Sequence, residues 1–155
     1  MAKKTSKALA KDELSKAARI VTASHSALGR WLEAAFDDIN TKLFSGELDF
    51  PLITLSHGSS HGGCVAYTAS SNALAHVVFQ SATFGRSKHN SSPWGAGAIL
   101  GKTYAYDVLI HECIHLSVAQ LESQGAANHP KRTSHNCPLW ASETQRIADL
   151  LGFSV

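Results

Sequence analysis

Among the nine histidines of this 155-residue chain, two stand four residues apart with a glutamate beside the first: His111-Glu112-Cys113-Ile114-His115. On an α-helix a spacing of four returns to the same face one turn on, so both imidazoles can ligate one ion. Glu112 lies at the edge of that face, where its carboxylate can reach a water on the ion rather than the ion itself. The chemistry open to such a set is metal-assisted hydrolysis. A Zn2+ held by imidazoles lowers the pKa of its water from about 15.7 towards about 7, and it polarises a carbonyl. The neighbouring carboxylate takes the proton and later delivers it to a leaving amine. Positions 108–110, 113, 114 and 116 are uncharged and mostly apolar. A helix buried on nearly all sides carries three ionisable groups only at high cost unless they have partners. The bland alternative is a satisfied polar network in the core, without metal.

A catalytic zinc site needs a third protein ligand and leaves the fourth position open. Leu121 stands where a metzincin pattern would place a histidine, and Glu143 is the glutamate available for a gluzincin-type site. His135 is the better candidate, in the turn Ser134-His135-Asn136-Cys137-Pro138-Leu139-Trp140. The intervening stretch is long enough to bring it back to the first two ligands. His129 and Cys137 are weaker alternatives, and Cys137 would make a softer site than a hydrolytic zinc usually has. Tyr104, two turns before His111 on the same face, either donates to an oxyanion or simply packs. Asp107, one turn before His111, either orients a ligand histidine or complements the helix dipole. Asn136 and Glu143 are further candidates for supporting the ligands. Cys113 is rotated about 200° from each ligand histidine, which makes it a small buried hydrophobe rather than a nucleophile paired with His111. A second cluster, His57, His61 and Cys64, has a spacing that could bind metal on a helix, but it sits among three glycines and reads as a turn.

The elements that must position these residues follow from periodicity. Residues 1–17, with Lys3, Lys4, Lys7, Lys11 and Lys16, read as a basic, flexible, partly helical lead-in, and 18–155 as one domain. Apolar residues at three- and four-residue spacings, from Ile20 through Leu28, Leu32, Phe36 and Ile39, predict one helix over about 18–43, ended by Phe44-Ser45-Gly46. Strands are predicted over 52–55, 64–68 and 75–79. A Gly/Ser/Asn-rich loop follows over 81–102, carrying Arg86, Lys88, His89, Trp94 and Lys102. Helices then run over about 103–121 and from Pro138 to 151. The order reads as α+β, with a small antiparallel or mixed sheet between an N-terminal helix and two C-terminal ones.

Composition narrows the class. With 44% hydrophobic and 17% charged residues the chain is globular rather than disordered. A net charge of +2 is too mild to declare a nucleic-acid binder, although the lysine-rich start and the 81–102 loop, with basic residues beside an aromatic, could grip DNA. Three cysteines without a CxxC pair argue against a disulfide scaffold and for a reducing, cytoplasmic setting. No apolar run approaches the roughly 18 residues of a membrane span, and no signal-peptide core follows the basic start.

In combination these features resemble a known family. A helix and strand over Trp31 to Ser56 include Leu43-Phe44-Ser45-Gly46-Glu47-Leu48 and Phe50-Pro51. A short strand at Gly63-Cys64 follows, then His-Glu-x-x-His, a glycine-containing loop, and Ser134-His135-Asn136 with Trp140 shortly after. This is similar to the SprT-like zinc metallopeptidases, the group with the Spartan-type proteases, and closest to the compact versions of phages and plasmids. The likeness covers roughly residues 30 to 153. It implies His111, His115 and His135 as zinc ligands, Glu112 as the catalytic glutamate, and a minimal zincin-like protease domain with an open cleft. Spartan-type members degrade proteins crosslinked to DNA, so the implied activity is endopeptidase cleavage of protein or peptide substrates, DNA-associated ones among them. The competing expectation is a non-catalytic DNA- or protein-binding module on the same scaffold, such as a counter-defence factor.

Overall fold

The computed structural model describes residues 6–24, 26–56, 64–66, 75–80, 102–125, 135 and 137–153. They form, in chain order, α1 (Ser6–Ser24), α2 (Ser26–Phe44), β1 (Leu52–Ser56), β2 (Cys64–Ala66), β3 (His76–Gln80), α3 (Lys102–Ser123) and α4 (Pro138–Leu150). The architecture is mixed helix and strand, mostly helical, around one small sheet of order β1-β3-β2.

The centre of the fold is α2. Leu32, Ala35, Phe36, Ile39 and Leu43 form one buried stripe, and Phe36 meets Phe50 edge-on with ring centres 4.9 Å apart. Burying side chains of this size is worth about 1.5–3 kcal/mol each. After Phe44 the chain enters the left-handed region, at Ser45 (φ 56°) and Gly46 (φ 74°), and the Gly46 amide donates to the Asn40 carbonyl at 2.9 Å. Asn40 then acts as a strand partner: its side chain donates to the Leu48 carbonyl and accepts from the Leu48 amide, both at 3.0 Å.

The sheet is mixed. β1 and β3 pair in parallel from Leu52↔His76 to Ser56↔Gln80, and β2 joins the other side of β3 antiparallel, with Val65 opposite Val77. The antiparallel option of the sequence reading is therefore confined to β2, while the five-residue central ladder is parallel. Ile53, Val77 and Phe79 point into the core with the alternation a one-sided sheet requires, and Leu109, Cys113 and Val118 of α3 join them there.

One expectation is corrected at the N-terminus: the single helix drawn over 18–43 is two helices, α1 and α2, which pack against each other. The partly helical character expected of the lead-in over 1–17 is seen in residues 6–17, the first part of α1. α1 lies on α2 and β1. Arg19 clamps Asp37 with two hydrogen bonds of 2.9 and 2.7 Å and sits 4.2 Å above the Phe50 ring. Buried Thr22 donates to the Ile53 carbonyl and accepts from its amide, both at 3.2 Å, which satisfies the outer edge of β1. Ile20, read as a core position, is 71% exposed on the far side of α1.

Candidate metal centre

From Glu112 to Val118 every residue of α3 is buried, so the helix carries its ionisable groups through the core. His111 is at the surface end of this run and His115 one turn deeper, 9% exposed. His135 arrives from the segment just before α4. Its Nε2 lies 3.3 Å from His111 Nε2 and 3.2 Å from His115 Nε2, and the three ligand atoms all fall within 4.8 Å of one another. Nitrogens held 2.0–2.1 Å from a tetrahedral centre are about 3.3–3.4 Å apart, so the two separations from His135 match those of imidazoles that share one ion. Hydrogen bonding alone does not account for them, because a single Nε2–H on His135 can point at only one of the other two nitrogens. These three residues are close enough to hold a metal ion.

The electrostatics suit a cation. Burial, followed by the charges of His111 and His135, pushes the His115 imidazole down to about 4. Burial and His135 lower His111 as well. Both rings are therefore neutral at pH 7, with the lone pair a metal requires. Glu112 is 3% exposed, and burial pushes its carboxyl up to about 7, the range in which a group can both take and give a proton at neutral pH. Its Oε2 has no hydrogen-bond partner among the described residues, and neither has His115 Nδ1. Cys113, on the opposite side of α3, is fully buried with its thiol pushed well up by burial, which fits the expected packing role.

Two of the alternatives for a third ligand have partners of their own. Glu143 is engaged elsewhere: its Oε1 accepts from Ser117 Oγ at 2.7 Å, and Arg146 grips both of its oxygens at 2.6 and 3.0 Å. Burial opposes ionisation of Glu143, but the bonds from Arg146 and Ser117 outweigh it and hold the carboxyl below its ordinary value. Cys137 caps α4, with its Sγ accepting from the Trp140 amide at 3.2 Å. His129 lies outside the described residues.

Asp107 is exposed in a depression of about 300 Å³ lined also by Trp31, Lys102, Thr103 and Tyr106, and among the described residues no hydrogen bond joins it to a ligand histidine. Tyr104 belongs to the first turn of α3, but its side chain lies outside the described residues, as do Asn136, His57, His61 and the side chain of Cys64. Of the two places read as DNA contacts, residues 81–101 and 1–5 also lie outside them. Lys102 opens α3 with its ammonium 5.6 Å from the Trp31 ring centre, and Lys16 pairs with Glu13 at 2.9 Å on the surface of α1.

Sequence reasoning missed one residue of the site. Trp140 entered the sequence reading as part of the resemblance and as a residue of the last helix, without a role at the ligands, yet its indole packs against all three histidines, with ring centres 4.1, 4.8 and 5.1 Å away. The available signal was its place in the first turn of the helix that follows His135. Compared with models of protein families, with curated proteins and with solved structures, the chain matches none. No helix among the described residues is long and apolar enough to cross a membrane.

Proposed function

We propose that this chain is a zinc-dependent endopeptidase built on a minimal zincin-like domain of the SprT-like kind, with protein or peptide as substrate. The observation that carries the reading is the convergence of His111, His115 and His135 Nε2 beside a buried glutamate with an unpartnered oxygen. Three neutral imidazoles are donors that suit zinc, and they leave a coordination position open. A zinc bound there would supply Lewis acidity, polarising a carbonyl and acidifying a water. His111, His115 and His135 would hold the ion. Glu112 accepts a proton on its carboxylate and passes it to the leaving amine, a task matched by a carboxyl poised at about 7. The exposed side of His111 is the side from which a substrate would approach.

The test is metal content by mass spectrometry combined with cleavage of a fluorescently labelled, denatured protein. Wild type should carry about one zinc per chain and cleave. His135→Ala should lose the metal. Glu112→Gln should keep the metal and lose about 10²–10⁴-fold in rate. A wild type that takes up no metal, or a Glu112→Gln chain that cleaves like wild type, overturns the reading.

A further inference from the structure

A ligand histidine is ordinarily oriented through its second ring nitrogen, which donates to a carboxylate, carbonyl or water. His115 lacks that device among the described residues, since its Nδ1 is buried without a partner. Something else must hold the ring. The indole of Trp140 lies 4.1 Å from the His115 ring, centre to centre, tilted by 32°. It also lies 4.8 Å from His135 and 5.1 Å from His111, the latter at 64°. Among the described residues it is the one aromatic ring outside the ligand set that touches all three ligands.

The helix turn that carries the indole is fixed from two directions. Its own backbone amide donates to Cys137 Sγ at 3.2 Å, and Cys137 stands two residues after His135, so the third ligand, the cap and the indole belong to one local unit. One turn further along α4, Glu143 accepts from Ser117 at 2.7 Å, and Ser117 is two residues beyond His115 on α3. Arg146 then ties α4 to the end of α2 through the Leu43 carbonyl at 2.8 Å. None of these bonds involves a ligand atom, so the turn that carries the indole is held whether or not an ion is present.

We infer that Trp140 is a positioning residue: its indole is the shared wall that keeps the three imidazoles converged, so that the site is arranged before an ion arrives. The inference rests on the metal-centre reading above and adds the residue that organises it. An aromatic surface also suits the loaded state, because an imidazole bound to a cation carries positive charge that the indole π system attracts.

The experiment uses the full-length chain stripped of metal and reloaded with Co2+, whose visible bands report coordination. Trp140→Phe should keep cobalt affinity within a few-fold and preserve the bands. Trp140→Leu should lose about 10–100-fold in affinity, the usual cost of removing an outer support, with weakened bands and unchanged helical circular dichroism. A second measurement needs no variant: in the metal-free wild type, proton NMR should show cross-relaxation between the indole and all three imidazoles. A Trp140→Leu chain that binds cobalt like wild type overturns the inference, and so do indole–imidazole contacts that appear only after metal is added. A wild type that takes up no cobalt overturns the metal-centre reading itself and this inference with it, whereas normal wild-type loading beside an unimpaired Trp140→Leu overturns this inference alone.

Discussion

Glu112 should make the metal-free protein less stable at the pH where it is most useful. The carboxyl is 3% exposed, one oxygen has no partner, and burial moves it from an ordinary 4.5 to about 7. Because the folded value is raised, the folded chain holds this proton more tightly than the unfolded one. The resulting stability is fully present below about 4.5 and is lost as pH rises through about 7. At about 1.4 kcal/mol for each tenfold step, the loss is on the order of 3 kcal/mol by pH 8. Glu112→Gln replaces the group with a neutral one of the same shape and should recover most of that, while at pH 5 the two chains should differ by only about 1 kcal/mol. For a chain of this size the pH 8 difference corresponds to roughly 6–12 °C in melting temperature. The lowered imidazoles of His111 and His115 act with the opposite sign, losing stability as pH falls, but they are common to both chains and drop out of the difference. The assay is thermal melting of both metal-free proteins from pH 5 to pH 8. Equal melting temperatures at pH 8, or a gap that does not shrink towards pH 5, would refute the reasoning.

Other outcomes follow from the same structure. Thr22→Val removes the group that satisfies both backbone polar atoms of Ile53 and should cost about 1–3 kcal/mol in urea unfolding. Asn40→Ala strips both partners from Leu48 at a buried position and should cost a similar amount or more. Glu143→Gln should flatten the acid side of the stability profile, because a carboxylate held below its ordinary value contributes stability that is lost as pH falls through that lowered value. Adding zinc at about 1,000 times its dissociation constant should stabilise wild type by about 4 kcal/mol and leave His135→Ala almost unmoved, as read by differential scanning calorimetry.

The site was more legible in the sequence than the scaffold. His111 and His115 share a face because the helical period demands it, and no tertiary contact is needed to see that. His135 could be reached by asking which donor lies a loop away, in the turn before the next helix; of its rivals Glu143, Cys137 and His129, the last lies outside the described residues. The structure gives the other two their employment, Glu143 as partner of Ser117 and Arg146 and Cys137 as a helix cap. Trp140 stayed hidden because its role is a matter of distances across two elements, whereas its sequence context is that of any core aromatic. The break between α1 and α2 was invisible for a different reason. No glycine or proline punctuates it, and the apolar spacing runs on through Ala18, Leu28 and Leu32 as if in one helix. The strands were placed nearly in register with those observed, but which neighbours which was not. β2 lies between β1 and β3 in sequence and at the sheet's far edge in space, an ordering that no local pattern encodes.

The division of the ligands between two elements has a kinetic consequence. Two of the nitrogens ride on α3, while the third comes from His135, just ahead of a thirteen-residue helix joined to α3 by the Ser117–Glu143 bond. For an ion held by all three, local opening of the C-terminal helix would enter the residence time alongside the strength of imidazole ligation. Substitutions at Ser117, Glu143 or Arg146, remote from any ligand atom, should then speed ion exchange as loosening a latch frees a door.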